Sequence, residues 1–552
     1  MSFEAHWRLF HDDFCDTVSG FPLEPSLAKP ALRTALSCVI AVMLTNFLRI
    51  PHAYWAGISV LIMMQPNVSA ELMKGWQRAG GACIGSFFGI FYAGLVVQSP
   101  LLFSILTILL VTTGIYLGNT QKFGYFWSYM TFHLHIICIL SIMGPSGTAD
   151  ITTGSLIPEH IAFYRGAAVS IGVIVAIVVN LLIKPDFAFD IARDKAGKLK
   201  TGLKEFLDAA VTGYLNGKNN DEDFEKKYSE LVRGIDSYIA LFNQSKVERK
   251  FFFDEELSLD PQRAVDLRRS VKDIRSLYRN FEQTGSSLAD EFGEQLKKLP
   301  EFFLDALTNK SRSSEQKLRN ALNEFEDILK QEHPKIPKYG THELILFLGF
   351  IGCLRKLFGV IFCGEISGIK KSEANLAGTE NAVSSLKNIQ INVPVLKIAL
   401  RGAFSILFVF WFWLWMEIPG GGVNMAISII AVFQVNLLNT HHKGILRFAG
   451  CLTGAATGLF VLALGIQSTL FICIILFCVV YCFAYVWGGK PGSAYFGLQG
   501  ALAFVICVMS STGPAATLSS GLERLTGILI AISCLLLINN VIFPIDMTKS
   551  FL

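Results

Sequence analysis

The stretch Pro51–Gly89, PHAYWAGISVLIMMQPNVSAELMKGWQRAGGACIGSFFG, decides how the rest of the chain is read. It holds an apolar segment, a break at Gln65-Pro66-Asn67, a short turn carrying Lys74 and Arg78, and a second apolar segment. That second segment opens with the arginine and a glycine ladder, Gly81, Gly85 and Gly89. The pattern returns downstream. Gln434, Asn436, Lys443, Arg447, Gly450, Gly454 and Gly458 stand 369 positions after Gln65, Asn67, Lys74, Arg78, Gly81, Gly85 and Gly89. Seven matches of residue type at one offset make the chain a duplication.

Working outward, 52% of the 552 residues are apolar and 12% aromatic, and the mean hydropathy is +0.46. Distribution is more telling than the average, because charges gather in the middle third while long apolar runs fill both ends. About 20 apolar residues cross a bilayer core. Spans are predicted near 31–48, 53–66, 79–98, 101–118, 124–143 and 161–183, and again near 398–416, 423–438, 448–465, 468–487, 492–510 and 525–543. The predicted fold class is all-α: a polytopic membrane protein of two parallel six-span repeats, about twelve transmembrane helices, separated by a helical cytoplasmic domain. The boundaries are an N-terminal cytoplasmic or interfacial segment 1–28, repeat one 29–185, the helical domain 186–393, repeat two 394–545 and a cytoplasmic tail 546–552. Segments 53–66 and 423–438 are short for a crossing and occupy corresponding positions. Paired broken segments in a duplicated transporter point to the substrate site, because non-helical backbone at membrane depth is tolerated where it lines a cavity.

Lysine and arginine in short loops set the orientation. Lys29, Arg33, Lys74, Arg78, Lys122 and Lys184 fall on the side of the N-terminus, and Lys397, Arg401, Lys443, Arg447, Lys490 and Lys549 repeat that bias. Both ends and residues 186–393 are therefore expected on the cytoplasmic side. Gly144-Pro145 matches Gly513-Pro514 at the same offset, whereas Arg165 matches Arg524 at 359, so the first half carries a ten-residue insertion on the outer face. It reads as a plain loop or as a lid. The first twenty residues hold Glu4, Arg8, Asp12, Asp13 and Asp16 without a compact apolar core, which argues for a surface helix rather than a signal peptide.

Residues 186–393 place apolar side chains three and four apart among many charges, as in LKEFLDAAV and LRNALNEFEDILKQ. That periodicity predicts amphipathic helices packed as a bundle. Pro334 and Pro337 break it, and Arg355 and Lys356 within 343–363 argue against a further crossing, since a mid-bilayer cation costs about 2.5 kcal/mol or more. The twelve cysteines lack metal-ligand spacing. With no nucleotide-binding loop and no catalytic grouping, neither a cofactor nor an enzyme activity is expected. The net charge of +4 is too small and dispersed to indicate nucleic acid.

Steps of four residues put Gly81, Gly85 and Gly89 on one helix face, and Gly450, Gly454 and Gly458 likewise. Small residues so spaced let membrane helices approach closely. Arg78 lies within about 60° of that face and points inward. Arg78, Arg447, Arg165 and Arg524 sit at span ends, with no acid deep in any span. They are either ordinary flanking charges or the cations of an anion path. Tyr54 and Trp55 read as an interfacial anchor or as rings beside a cavity. His133, two residues from His135 and so on a different face, reads as a packing histidine or a proton relay.

The combination Tyr54-Trp55-Ala56, Gln65-Pro66 and Arg78-x-x-Gly81-x-x-x-Gly85 resembles the signature of the fusaric acid resistance and aromatic acid exporter family. The resemblance covers nearly the whole chain. It implies an inner-membrane exporter of aromatic carboxylic acids, working in some relatives with a periplasmic adaptor protein and the proton gradient. Related plant malate channels keep a passive anion channel as the alternative, and a membrane scaffold is a third. The expected substrate contacts are Tyr54, Trp55, Gln65, Pro66, Asn67, Arg78, Gln434, Asn436 and Arg447. His133, Arg165 and Arg524 are the expected coupling or outer-gate residues. The partners expected are the lipid bilayer, small organic anions, the adaptor and a second copy of the chain.

Overall fold

Asn67 starts the helix on which the first half is arranged. Its side-chain oxygen accepts the Ala70 backbone N–H at 2.8 Å, the N-cap bond that satisfies a donor left over at a helix start. We describe a computed structural model covering residues 3–96, 98–143, 158–216, 221–252, 260–279, 287–309, 312–331, 341–363, 392–416, 437–466, 468–509 and 519–538. Gln434, Asn436, the Gly-Gly-Gly-Val segment 420–423, most of the inserted loop and the 334–337 prolines lie outside these residues. The chain divides into two units, Met1–Pro185 with Gln390–Leu552, and Asp186–Ile389.

In the first unit α1 (Phe3–Ser19) precedes α2 (Pro25–Phe47), α3 (Tyr54–Met63), α4 (Val68–Val96), α5 (Pro100–Thr120), α6 (Gly124–Met143) and α7 (Pro158–Leu182). Helix α3 has ten residues, about 15 Å, half of a bilayer core. It stops because Pro66 disfavours helical backbone at Gln65, and Met64 has already turned to ψ 122°. The expected turn over 68–78 is instead the first three turns of α4, a correction with two consequences. Arg78 stands about 15 Å inside its helix rather than at a span end. Glu71, expected in a loop, is buried within a membrane helix, against the expectation that no acid is.

The second unit contributes α8 (Ala188–Asn216), α9 (Asp221–Phe252), α10 (Pro261–Tyr278), α11 (Ser287–Asn309), α12 (Arg312–Gln331) and α13 (Thr341–Phe358), the last extended by a π-helical turn, Gly359–Cys363. These helices share one core, in which Phe206, Phe224, Tyr238, Phe303, Phe347 and Phe350 are buried. Glu248 on α9 accepts the Phe189 N–H at the start of α8. Residues 344–361 are apolar and long enough to cross a membrane. Even so, Phe347, Phe350, Ile351, Leu354 and Leu357 are buried in the bundle core, Lys356 pairs with Asp273, and Arg355 donates to the Leu322 carbonyl.

The chain returns to the first unit with α14 (Val393–Met416), α15 (Leu437–Ala463), α16 (Thr469–Gly488), α17 (Pro491–Val508) and α18 (Ser519–Leu537). Helix starts recur at the sequence offset: Val68 and Leu437, Pro100 and Thr469. Among the described residues of the chain, nine helices are long and apolar enough to cross a membrane. The two halves exchange one contact, for α2 packs along α16 while its counterpart α14 packs along α5, counterpart of α16. Within each half the ladder helix lies along the helix two further on, α4 on α6 and α15 on α17. A Cβ on Gly85 would overlap the Met130 carbonyl, and one on Gly454 the Gly500 carbonyl. The ladders are therefore sites of backbone-to-backbone packing.

Helix α1 is docked as well as amphipathic. Phe10 and Phe14 pack on Phe496, Asp13 accepts the Gly492 N–H at the start of α17, and Asp16 pairs with Lys490. Helix α1 thus packs against the start of α17.

Candidate anion site

Helix α6 carries Tyr125, Tyr129 and His133 at four-residue steps, so the three rings fall along one face. Tyr125 and Tyr129 stack at 5.6 Å with 15° between planes, and Tyr129 and Phe132 at 5.6 Å with 22°. Cations from two other helices stand over this row. Lys74 Nζ is 5.7 Å from the Tyr125 centroid, and the Arg78 guanidinium carbon is 4.3 Å from that of Tyr129. Arg165, from α7, lies 3.5 Å from the Trp55 centroid and 6.0 Å from that of Phe132. A cation above an aromatic face is attracted by the ring quadrupole, by about 2 kcal/mol or more once water is excluded.

Arg78 is 1% and Arg165 4% exposed, so both charges are removed from solvent. Arg78 donates to the Tyr125 hydroxyl at 2.8 Å, yet its Nε has no acceptor among the described residues. Arg165 has no acceptor at Nε or Nη2 among the described residues. Neither guanidinium pairs with a carboxylate among the described residues. The Tyr129 hydroxyl is also buried without a partner. His133 donates from Nδ1 to the Tyr129 carbonyl, which leaves the lone pair of Nε2 unused. Burying a cation costs several kcal/mol unless a counter-charge and acceptors meet it. Rings alone supply only part of that compensation.

The predicted residues separate into groups. Trp55, Arg78, His133 and Arg165 come together around Tyr129, and the Tyr54 ring lies 5.4 Å from that of Trp55. Arg165 lies seven residues into α7, about 10 Å from its start, rather than at the span end. Gln65 donates to its neighbour's carbonyl, Pro66 is exposed and Asn67 caps α4, so these three shape the break between helices. Arg447 belongs to a different environment. It donates to Gln499 at 2.8 Å, and the positions matching Tyr125, Tyr129 and His133 are Ala494, Leu498 and Leu502. Arg524 lies on α18, with its side chain outside the described set. His135 faces elsewhere, 5.4 Å from Tyr92. Sequence reasoning missed Tyr125, Tyr129 and Lys74, although the four-residue spacing of tyrosines and histidine on α6 was there to be read.

The sequence model of the Fusaric acid resistance protein family matches residues 30–435, and that of a second, Fusaric acid resistance protein-like, family matches 404–538. The chain is similar to UPF0421 protein BH2644 of Halalkalibacterium halodurans, 22% identical over 210 residues, 38% of this chain and 52% of that protein. It is also similar to the uncharacterized protein slr1298 of Synechocystis sp., 24% identical over 243 residues, 42% of this chain and 28% of that protein. The chain thus spans about half the length of one relative and less of the other.

Proposed function

We propose, for a chain that belongs to the fusaric acid resistance protein family, that its first half carries aromatic and other hydrophobic organic acids out of the cell as anions. The family is one of membrane transporters, and the chain is a multi-pass membrane protein. One observation carries the substrate class: Arg78 and Arg165 are buried beside a row of aromatic rings with donors unused. Two guanidiniums select a carboxylate, and the rings offer a planar apolar body a stacking surface. The reading includes secondary-active efflux across the inner membrane, with both termini and residues 186–393 cytoplasmic, as the lysine and arginine bias argues. A periplasmic adaptor and self-association belong to it as well.

The test is growth. A deletion strain carrying the wild-type gene should survive a panel of weak aromatic acids that inhibit the same strain carrying Arg165→Gln at equal membrane abundance. Equal growth of the two would overturn the assignment. Planar-bilayer recording distinguishes a carrier from a channel, because sustained single-channel currents would overturn secondary-active transport.

A further inference from the structure

Helix α1 carries two metal-ligating side chains that play no part in the anion site. His11 and Cys15 stand four residues apart, so they lie one above the other on one face of the helix. Cys15 Sγ is 3.7 Å from His11 Nε2. On the other side of the ring, Nδ1 is 3.3 Å from Oδ1 of Asp12. A carboxylate oxygen accepts, so Nδ1 carries the ring proton and Nε2 presents its lone pair to the sulfur. Either side chain could turn to water, yet both point to a common position.

That position has the dimensions of a coordination edge. With bonds of about 2.3 Å to sulfur and about 2.0 Å to nitrogen, the donor atoms of a tetrahedral site stand about 3.5 Å apart. A ligating histidine usually gives its other ring N–H to a carboxylate, which fixes the tautomer and raises the basicity of the ligating nitrogen. Asp12 already does this. His11 is 60% exposed and Cys15 is exposed, so a cation meets the pair directly from solvent. Arg8, one turn earlier on this face, is engaged by Glu4 at 2.7 Å. Among the described residues no third His, Cys, Asp or Glu completes the set, which leaves the other positions to water. Two ligands on one turn are half of a structural zinc site, and so no zinc motif stands in the sequence.

We propose that His11 and Cys15 bind a thiophilic divalent cation of the zinc class, with Asp12 as the positioning residue of His11. Thiolate and imidazole favour such ions over magnesium and calcium, which take oxygen ligands. The thiol proton passes to solvent as the thiolate binds. The chelate closes only while residues 11–15 are helical, so it favours the helical state of α1 by mass action. The same helix presents Phe10, Asp13, Phe14 and Asp16 to the start of α17. The cation therefore strengthens the docking of α1 from a face turned away from the docked one.

The experiment is titration of the purified full-length protein with cadmium ion, whose bond to a thiolate gives an ultraviolet charge-transfer band. The other eleven of the twelve cysteines are common to wild type and Cys15→Ser, so the two should differ by one equivalent per chain. Asp12→Asn should weaken that binding by about tenfold, the order expected of a lost orienting partner, and Asp12→Glu should recover most of it. His11→Gln should weaken it further. All three side chains are exposed, so the variants keep the fold. Zinc ion should slow amide exchange along α1 in wild type and not in Cys15→Ser, whereas magnesium should slow it in neither. Equal cadmium binding by wild type and Cys15→Ser, or binding unchanged in His11→Gln, overturns the site. Unchanged binding in Asp12→Asn overturns the positioning role, and zinc without effect on α1 exchange overturns the link to docking.

Discussion

The Arg165 guanidinium carbon lies 3.5 Å from the centroid of the Trp55 ring, joining the first turn of the short helix α3 to the interior of α7. The guanidinium is thus faced by a ring and, among the described residues, by no acid, and two of its nitrogens make no hydrogen bond there. Trp55→Leu should weaken substrate binding while leaving the charge in place. Because orientation rather than charge is lost, the expected effect is about five- to thirtyfold in KM, in line with a cation–ring contact of about 1–2 kcal/mol. Uptake of labelled aromatic acid into inside-out vesicles measures it, and a Phe substitution should recover most of the loss.

Tyr125→Phe removes the hydroxyl that accepts from Arg78 but keeps the ring beneath Lys74. A buried charged donor then loses its acceptor, at a cost of about 1–3 kcal/mol unless a ligand supplies one. The protein should therefore be less stable without substrate, and saturating substrate should recover part of the loss. Thermal melting of the purified protein with and without aromatic acid reads both effects.

Two glycines on one helix should respond in opposite ways. Gly85→Ala places a Cβ against the Met130 carbonyl, where neither helix backbone can yield without moving the other. A loss of about 1–3 kcal/mol is expected, as for other overpacked contacts. Gly94 has open space around it, so Gly94→Ala should be neutral or stabilise by up to about 1 kcal/mol through helix propensity. Melting temperatures of the two variants provide the comparison.

In the second unit Arg275 donates from Nε to Glu225 at 2.9 Å and also pairs through Nη2, which holds the Glu225 carboxyl below its ordinary range. A lowered carboxyl contributes stability above its unfolded pKa, and that contribution is lost as pH falls through the folded value. Amide protection across α9 and α10, taken relative to the intrinsic exchange rate at each pH, should therefore fall on acidification below about pH 4. Arg275→Gln should raise exchange at neutral pH and flatten the acid response. An acid response as steep as that of the wild type would refute the assignment.

Much of the fold was legible because two copies could be compared. The offset paired the two ladder helices, though not their starts at Val68 and Leu437, and Pro66 located the break after α3. The glycine steps marked contact surfaces that the backbone overlaps at Gly85 and Gly454 now explain. The polar residues between 68 and 78 were misread for a physical reason. Locally, Glu71, Lys74, Gln77 and Arg78 look like a solvated turn, and only distant partners make their burial tolerable. Asn180 lies 109 positions from Glu71, and the Tyr125 hydroxyl 47 from Arg78. The asymmetry of the halves was half visible. Leu502 opposite His133 could be read in advance, whereas the Arg447–Gln499 bond could not, because Gln499 matches Met130 rather than either tyrosine.

That bond has a consequence for how the gene can change. With Arg447 donating to the Gln499 side chain, and Ala494, Leu498 and Leu502 standing where the first half has Tyr125, Tyr129 and His133, the second copy lacks the row of rings. Natural selection then acts on the two copies through different filters: shape and volume in the later one, charge and ring placement in the earlier one. Aliphatic exchanges such as Leu498→Ile or Leu502→Met should pass unnoticed through a resistance selection, while the corresponding positions Tyr129 and His133 admit few replacements. A duplicated protein of this kind keeps its symmetry in the scaffold and loses it along the row of rings and cations.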